Sequence, residues 1–291
     1  MEPKILLREP DEEARILPSK KKLVNKVAVI TGGARGIGAA AAKLFARNGA
    51  HVVIADILDD LGAALADSIG GRYIHCDVSK ESDVESAIEL ALGRTGQLDI
   101  MFNNAGISGP SGSITSLDMG KVQQLLSVNT FGCLHGIKYA AAAMIKTRTG
   151  GSIICTSSTA ASMGGLGGHA YTLSKESING LVRSAACELG VHGIRVNSIS
   201  PHGVPSEMLV AAYREILGKE DMQAEDVSKI VAERASLLRG RCGTVEDVAE
   251  AALFLASEDS GFITAHNLVL DGGYTSAVST MSFIYQFTNR Q

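Results

Sequence analysis

A chain of 291 residues has room for one large domain or two average ones. It is 45% hydrophobic with 32 glycines and no tryptophan, a composition suited to closely packed helices laid on a sheet. The formal charge of −4 comes without a dominant basic block, which argues against a nucleic-acid partner, and apolar runs such as "YAAAAMI" are too short to cross a bilayer.

Residues 1–22 are charged and proline-bearing, lack the apolar core of a secretory signal, and hold more acids than a transit peptide normally carries. A mobile tail is expected there. From Lys26 the pattern becomes regular. "KVAVIT" reads as a first strand, "GIGAAAAKLFARNG" as a helix closed by glycine, and "HVVIAD" as a second strand. A helix over Asp59–Ile69, the strand "RYIHCD", a helix from Glu81 to Gly93 and the strand "LDIMFNNAG" follow. Met119–Lys146 reads as one long helix, "GSIICTSS" as a strand, Tyr171–Leu189 as a second long helix, and "IRVNSIS" as a strand. Apolar strands alternating with helices predict a parallel sheet covered on both faces, hence a single doubly wound α/β domain over residues 23–275. Ser206–Gly243 interrupts the alternation as a mostly helical insert, before a helix at Val245–Ala256 and a last strand in "NLVLDGG". Long excursions at this edge of such sheets usually cover a ligand, and a plain surface helix pair is the alternative. Residues 276–291 are set apart as a C-terminal tail, rich enough in aromatics to tuck against a neighbouring subunit.

"TGGARGIG" (Thr31–Gly38) joins the first strand to the first helix. Its glycines, Gly32, Gly36 and Gly38, allow a sharp turn and close approach to a pyrophosphate, which the free amides at the helix N-terminus favour; Arg35 and Ile37 lie in the same loop. The spacing is TGxxxGxG and not GxGxxG, but the loop sits where a dinucleotide fold needs it. Asp56 closes the second strand, where a carboxylate can accept bonds from a ribose diol and repel a 2′-phosphate. Arg35 argues the other way, since a cation in the loop can meet that phosphate. Asp56 decides for NAD. Asp77 and Val78, ending the third strand, could hold the adenine edge similarly.

Tyr171 is the one tyrosine of six with a lysine, Lys175, four residues on. On a helix the two share a face, and a nearby cation favours the phenolate. The five cysteines, Cys76, Cys133, Cys155, Cys187 and Cys242, lack CxxC spacing and do not cluster with the histidines, so buried reduced thiols in a cytoplasmic protein are expected and no metal site is readable.

With "TGGARGIG", "NNAG" (Asn103–Gly106), Asn129, Ser158 and Tyr171-xxx-Lys175 in order, the chain resembles the short-chain dehydrogenase/reductase superfamily over roughly Leu23 to Tyr274. "DIMFNNAG", "CELGVHGIRVNSISPHGV" and "FLASEDSGFITAHNLVLDGG" look most like the plant branch around secoisolariciresinol dehydrogenase, which also holds xanthoxin-, borneol- and isopiperitenol-type dehydrogenases. The resemblance implies that Tyr171 is general base in alcohol oxidation and general acid in reverse. It implies that Lys175 binds the nicotinamide ribose and lowers the phenol's pKa, that Ser158 bonds the substrate oxygen, and that Asn129 holds a water linking the lysine to solvent. Asn104, Ala105 and Gly106 would line the cofactor. After the sixth strand the superfamily's Pro-Gly becomes "SPHGVPSEM". By position Pro201 and the Val204 backbone would meet the carboxamide and Ser206 the phosphates, while His202 faces nicotinamide or substrate or is a spectator.

Met163 and Leu166 in the loop before Tyr171, with Met208, Leu209, Tyr213 and Leu217 of the insert, would give an apolar lining with few charges. A compact hydrophobic secondary alcohol or ketone is expected, a terpenoid first, with lignan diols or lactols and hydroxysteroids open in the same reaction class. Two rivals remain: a non-redox terpenoid cyclase or isomerase on the same scaffold, and a nucleotide-sensing protein without catalysis. Small-residue faces on the two long helices suit close helix contact, and in the superfamily these elements commonly build tetramers, so a homotetramer is expected.

Overall fold

The valine-rich run after Lys26 folds as the central strand β1 (Val27–Thr31), buried at every position. In the computed structural model, which describes residues 21–277, it pairs in parallel with β2 (His51–Asp56) on one side and β4 (Ile100–Asn103) on the other. Six of the parallel strands, in order β3 (Arg72–His75), β2, β1, β4, β5 (Gly151–Thr156) and β6 (Ile194–Pro201), are completed by β7 (Asn267–Leu270). The order reverses direction between β1 and β4, which opens a crevice beyond their C-terminal ends. Both tails expected from sequence fall almost wholly outside the described residues.

Strand residues alternate between two cores, as a pleat demands. Val27, Val29, Val53, Met101 and Ile153 face α3 (Glu81–Thr95), α5 (Gly132–Thr147) and α6 (His169–Leu189). Ala28, Ile30, Ile54, Phe102 and Ile154 face α1 (Gly36–Arg47), α2 (Asp59–Ile69) and α9 (Val245–Ala256). Helices on both faces make the sheet doubly wound, as the alternation predicts.

One predicted helix is in fact three pieces. Met119–Lys146 runs as α4 (Met119–Leu126), a π-helical turn at Ser127–Phe131, then α5. The extra residue in that turn has a visible cause. Ser127 Oγ donates back to Gln123 O at 2.9 Å, Thr130 meets Ser177 Oγ at 2.9 Å, and Asn129 turns inward, 1% exposed. Hydrophobic periodicity carries no signal for this, because the apolar stripe continues on both sides of the turn.

The insert forms two helices, α7 (Glu207–Leu217) and α8 (Ala224–Arg234), closing over a small core of Val210, Met222, Val227 and Val231. Leu209 and Tyr213, expected to line a substrate cleft, are half-buried and pack against this core. The cysteines also differ in part from expectation. Cys76, Cys133 and Cys155 are buried, but Cys187 is exposed and Cys242 half-buried; all five are free thiols. No described helix is long and apolar enough to cross a membrane.

Candidate active site

The β1–α1 loop is shaped by glycine where nothing else fits. Gly32 has φ +61°, and a Cβ there would stand 2.8 Å from the Ala105 Cα; a Cβ on Gly38 would stand 2.1 Å from the Gly32 carbonyl oxygen. Arg35 occupies the N-cap of α1 with no side-chain cap, so the first amides of the helix keep their donors available. Together these form a cradle of backbone N–H groups at the switch point, which fits the pyrophosphate of a dinucleotide. Gly38→Ala should overpack this turn by about 1–3 kcal/mol. Dinucleotide affinity measured by calorimetry is expected to fall about tenfold or more, and the thermal unfolding midpoint to drop by several degrees.

Asp56 is buried at the end of β2 and clamps the loop from below. Its Oδ2 accepts from Ala34 N at 2.9 Å and its Oδ1 from Leu58 N at 3.0 Å. Each oxygen keeps a lone pair for a ribose hydroxyl, so the residue fits its expected part. Asp77 bonds the Ser79 hydroxyl at 2.7 Å, and although its own burial pushes its carboxyl upward, Ser79 and Lys80 together hold it below the usual range. Val78 is buried, packing where a Cβ on Gly132 would stand 2.7 Å away, and its carbonyl meets His135 Nδ1 at 3.0 Å.

The "NNAG" loop is stapled to the glycine loop. Asn104 Nδ2 donates to Thr31 O at 3.2 Å and Gly32 O at 3.1 Å, and Thr31 Oγ1 accepts from the backbone of Asn104 and Ala105. The Asn104 side chain, expected to line the cofactor, is thus spent on holding β1 and β4 in register at the crevice. Gly106 leaves room beside Asn129 and Lys175: a Cβ there would lie 3.3 Å from Asn129 Oδ1 and 3.5 Å from Lys175 Nζ.

Asn129 brackets the next residue of that loop. It accepts from Ile107 N at 2.9 Å, donates to Ile107 O at 3.0 Å, and donates to Ser174 Oγ at 3.1 Å. The π turn therefore fixes the β4 loop against α6. Lys175, 3% exposed, reaches back across the sheet end to donate to Thr156 O at 2.8 Å, and Ser157 Oγ, the competing serine, bonds the Lys175 carbonyl at 2.9 Å. Ser157 is committed to structure; Ser158 is the serine beside the tyrosine.

The electrostatics differ from the expectation of a lysine that lowers the phenol. Lys175 Nζ lies 5.6 Å from the Tyr171 ring centroid, and burial pushes its own pKa down to about 8. The Tyr171 phenol is raised by burial, with the Ser158 hydroxyl pulling it partly back. Burial sets the direction for the phenol, and the Lys175 ammonium is turned to the Thr156 carbonyl.

His202 is held in place at the end of β6. Its Nδ1 meets Thr159 Oγ1 at 2.9 Å, its ring stacks on Tyr274 with centroids 4.7 Å apart, and its buried Nε2 has no partner. Burial lowers its pKa, with Asp271 opposing. Pro201 ends β6 and accepts from Thr159 Oγ1 at 3.4 Å. Val204 is buried, and Ser206 caps α7 by accepting from Leu209 N at 3.5 Å, within 4.0 Å of a Cβ on Gly36. Met163 and Met208 are each 38% exposed, Leu166 is half-buried, and Leu217 is exposed.

Sequence reasoning missed two contacts of the insert. Arg35 pairs with Glu207 at 2.5 Å, and Ser111 of the β4 loop donates to Glu215 at 2.8 Å. Each joins residues more than a hundred positions apart, and no local pattern marks them.

Comparison with known proteins agrees with this geometry. The family described as enoyl-(acyl carrier protein) reductase matches residues 32–275. Short-chain dehydrogenase reductase ATA1 of Arabidopsis thaliana is 67% identical, over 92% of this chain and 98% of that one. Momilactone A synthase of Oryza sativa subsp. japonica is 45% identical, over 90% and 94%. The crystal structure of a short-chain type dehydrogenase/reductase from Mycobacterium marinum superposes with a TM-score of 0.78 at 31% identity, covering 89% of this chain and 98% of that one. The crevice at the β1/β4 reversal, the glycine cradle and the serine–tyrosine–lysine group thus belong to a plant-type member of the short-chain dehydrogenase/reductase family, an oxidoreductase built around a nicotinamide cofactor.

Proposed function

We propose that the protein oxidises a compact hydrophobic secondary alcohol to a ketone with NAD, reversibly, and that the substrate is a terpenoid of plant specialised metabolism. The observation that carries this reading is the grouping of Ser158, Tyr171 and Lys175 beside a glycine cradle whose ribose position holds a carboxylate, Asp56. A bound nicotinamide supplies the hydride chemistry. Lys175, beside Gly106 and Asn129, is the residue to hold the nicotinamide ribose, and the Pro201–Ser206 segment is the wall against the ring and phosphates.

Tyr171 moves the proton. Loss of hydride from a carbinol that kept its hydroxyl proton would leave a high-energy cation, so a base within hydrogen-bond reach must take it. Ser158 follows the oxygen as it gains alkoxide character, its hydroxyl donating to the developing charge. Asn129 supports both by fixing Ile107 and Ser174 on either side of the site. Met163 and Met208, both partly exposed, supply apolar surface, and a relative 45% identical is named momilactone A synthase.

Self-association belongs to the same reading, with a change in the residues that carry it. The alanines of the two long helices, Ala140, Ala141, Ala143, Ala185 and Ala186, face the sheet. Exposed apolar side chains in these elements are instead Phe131 at 52%, Leu134 at 40% and Leu173 at 55%. A homotetramer in the cytoplasm, where five unpaired thiols stay reduced, is the assembly proposed. Incubation with NAD and a panel of terpene alcohols, read as reduced-nicotinamide absorbance with product analysis, is expected to give ketones. Turnover of sugars or acyl thioesters alone would overturn the substrate class, and products without cofactor reduction would favour a cyclase or isomerase. Sedimentation of the full chain should show a species larger than a dimer.

A further inference from the structure

The glycine loop holds a cation that pulls against Asp56: Arg35 stands one residue beyond Ala34, whose amide is bonded to the Asp56 carboxylate at 2.9 Å. A guanidinium at that place is a ready partner for a ribose 2′-phosphate, which carries nearly two negative charges. The structure shows where that cation is spent. Arg35 Nη1 donates to Glu207 Oε2 at 2.5 Å, and Glu207 is the first residue of α7 in the insert. The neighbouring Ser206 lies against Gly36, so the N-terminus of α7 abuts the phosphate cradle itself. We infer that Glu207 is a second coenzyme-specificity residue: by taking Arg35, it withholds the loop's cation from a 2′-phosphate and adds a negative charge of its own at the cradle.

The inference rests on the NAD reading above and deepens it. Asp56 opposes the phosphorylated coenzyme at the ribose, and Glu207 opposes it through Arg35. The pair is exposed, 55% and 71% at the side chains, so its worth lies in where it directs the guanidinium and not in stability. A purely mechanical role for Glu207, tethering the insert, is separable, because α7 has another tether. Ser111 Oγ donates to Glu215 two turns further along the same helix, away from the cradle.

Calorimetric titration of the full chain with NAD and with NADP, at low ionic strength, tests this without any turnover. Glu207→Gln keeps the size and a hydrogen bond but removes the charge. The ratio of NADP to NAD affinity is expected to rise about three- to fivefold in that variant. In Glu207→Gln combined with Arg35→Gln the gain should vanish. Glu215→Ala, which removes the acceptor for Ser111 and loosens the helix at its other tether, should shift both affinities together and leave the ratio unchanged. A ratio unmoved by Glu207→Gln while both coenzymes still bind, or raised as much by Glu215→Ala, overturns the inference. Absence of binding heat for either coenzyme in every variant, the unmodified chain included, is a different failure: it sinks the dinucleotide reading, and this inference with it.

Discussion

Tyr171→Phe is expected to lower kcat for alcohol oxidation about a thousandfold or more while leaving dinucleotide affinity within about twofold. The substitution removes one oxygen. It keeps the ring that stands 5.6 Å from Lys175 Nζ, so the lysine's place and the cradle are undisturbed. What is lost is the acceptor for the substrate proton, which neither Ser158, a hydroxyl, nor Lys175, turned to the Thr156 carbonyl, replaces. The pH dependence follows from the phenol's direction of shift. Burial raises it, so the base form becomes abundant only on the alkaline side, and oxidation by the unmodified enzyme should climb with pH through that range. Ketone reduction uses the phenol as acid and should already run at neutral pH. Steady-state rates in both directions check this; a Tyr171→Phe enzyme that keeps the alkaline rise would show that another group is the base. The same variant separates an enzyme from a nucleotide sensor, whose binding function it would spare.

Those residues were legible because each stands in a local pattern. Apolar runs four to six residues long mark the strands, and Thr31–Gly38 marks its turn by chemistry that only glycine satisfies. Tyr171 and Lys175 announce themselves by helical spacing. What stayed hidden is long-range. The π turn around Asn129 is caused by partners on the β4 loop and α6, far along the chain, and the hydrophobic stripe of a helix does not register one extra residue. Asn104 reads as a cofactor residue from its motif, yet its amide is used up on Thr31 and Gly32. Leu209 and Tyr213 show another limit: an amphipathic helix shows an apolar face without saying what it covers, and here part of that face packs on the core shared with α8. The direction of the Tyr171 shift is hidden for a related reason: spacing shows a lysine nearby, but burial is a property of the packed fold.

Lys175→Met carries the other large effect, and its decisive signature is in stability as well as rate. Turnover should fall about a thousandfold, since the ribose contact and the cation beside the phenol both disappear. In the folded chain Lys175 is 3% exposed and its pKa is pushed from 10.5 to about 8 by burial, with the Cys133 and Cys155 thiols opposing. A drop of that size corresponds to a penalty on the order of 3 kcal/mol for carrying the charge inside. Its sign is fixed by proton counting. Between about pH 8 and 10.5 the unfolded chain holds this proton and the folded chain does not, so stability rises with pH across that window; below about 8 the full penalty applies. Tyr171 works the other way above its ordinary value of 10, because the unfolded phenol releases its proton first, so the rise is cleanest between about 8 and 10. A methionine carries no proton, and its loss of the Thr156 bond costs a fixed 1–3 kcal/mol or so at every pH. The difference in unfolding free energy between the unmodified chain and Lys175→Met, measured in urea at a series of pH values, should therefore move in favour of lysine as pH climbs. Two parallel curves would mean that the ammonium is not desolvated, and the account of how this site holds its lysine would have to be abandoned.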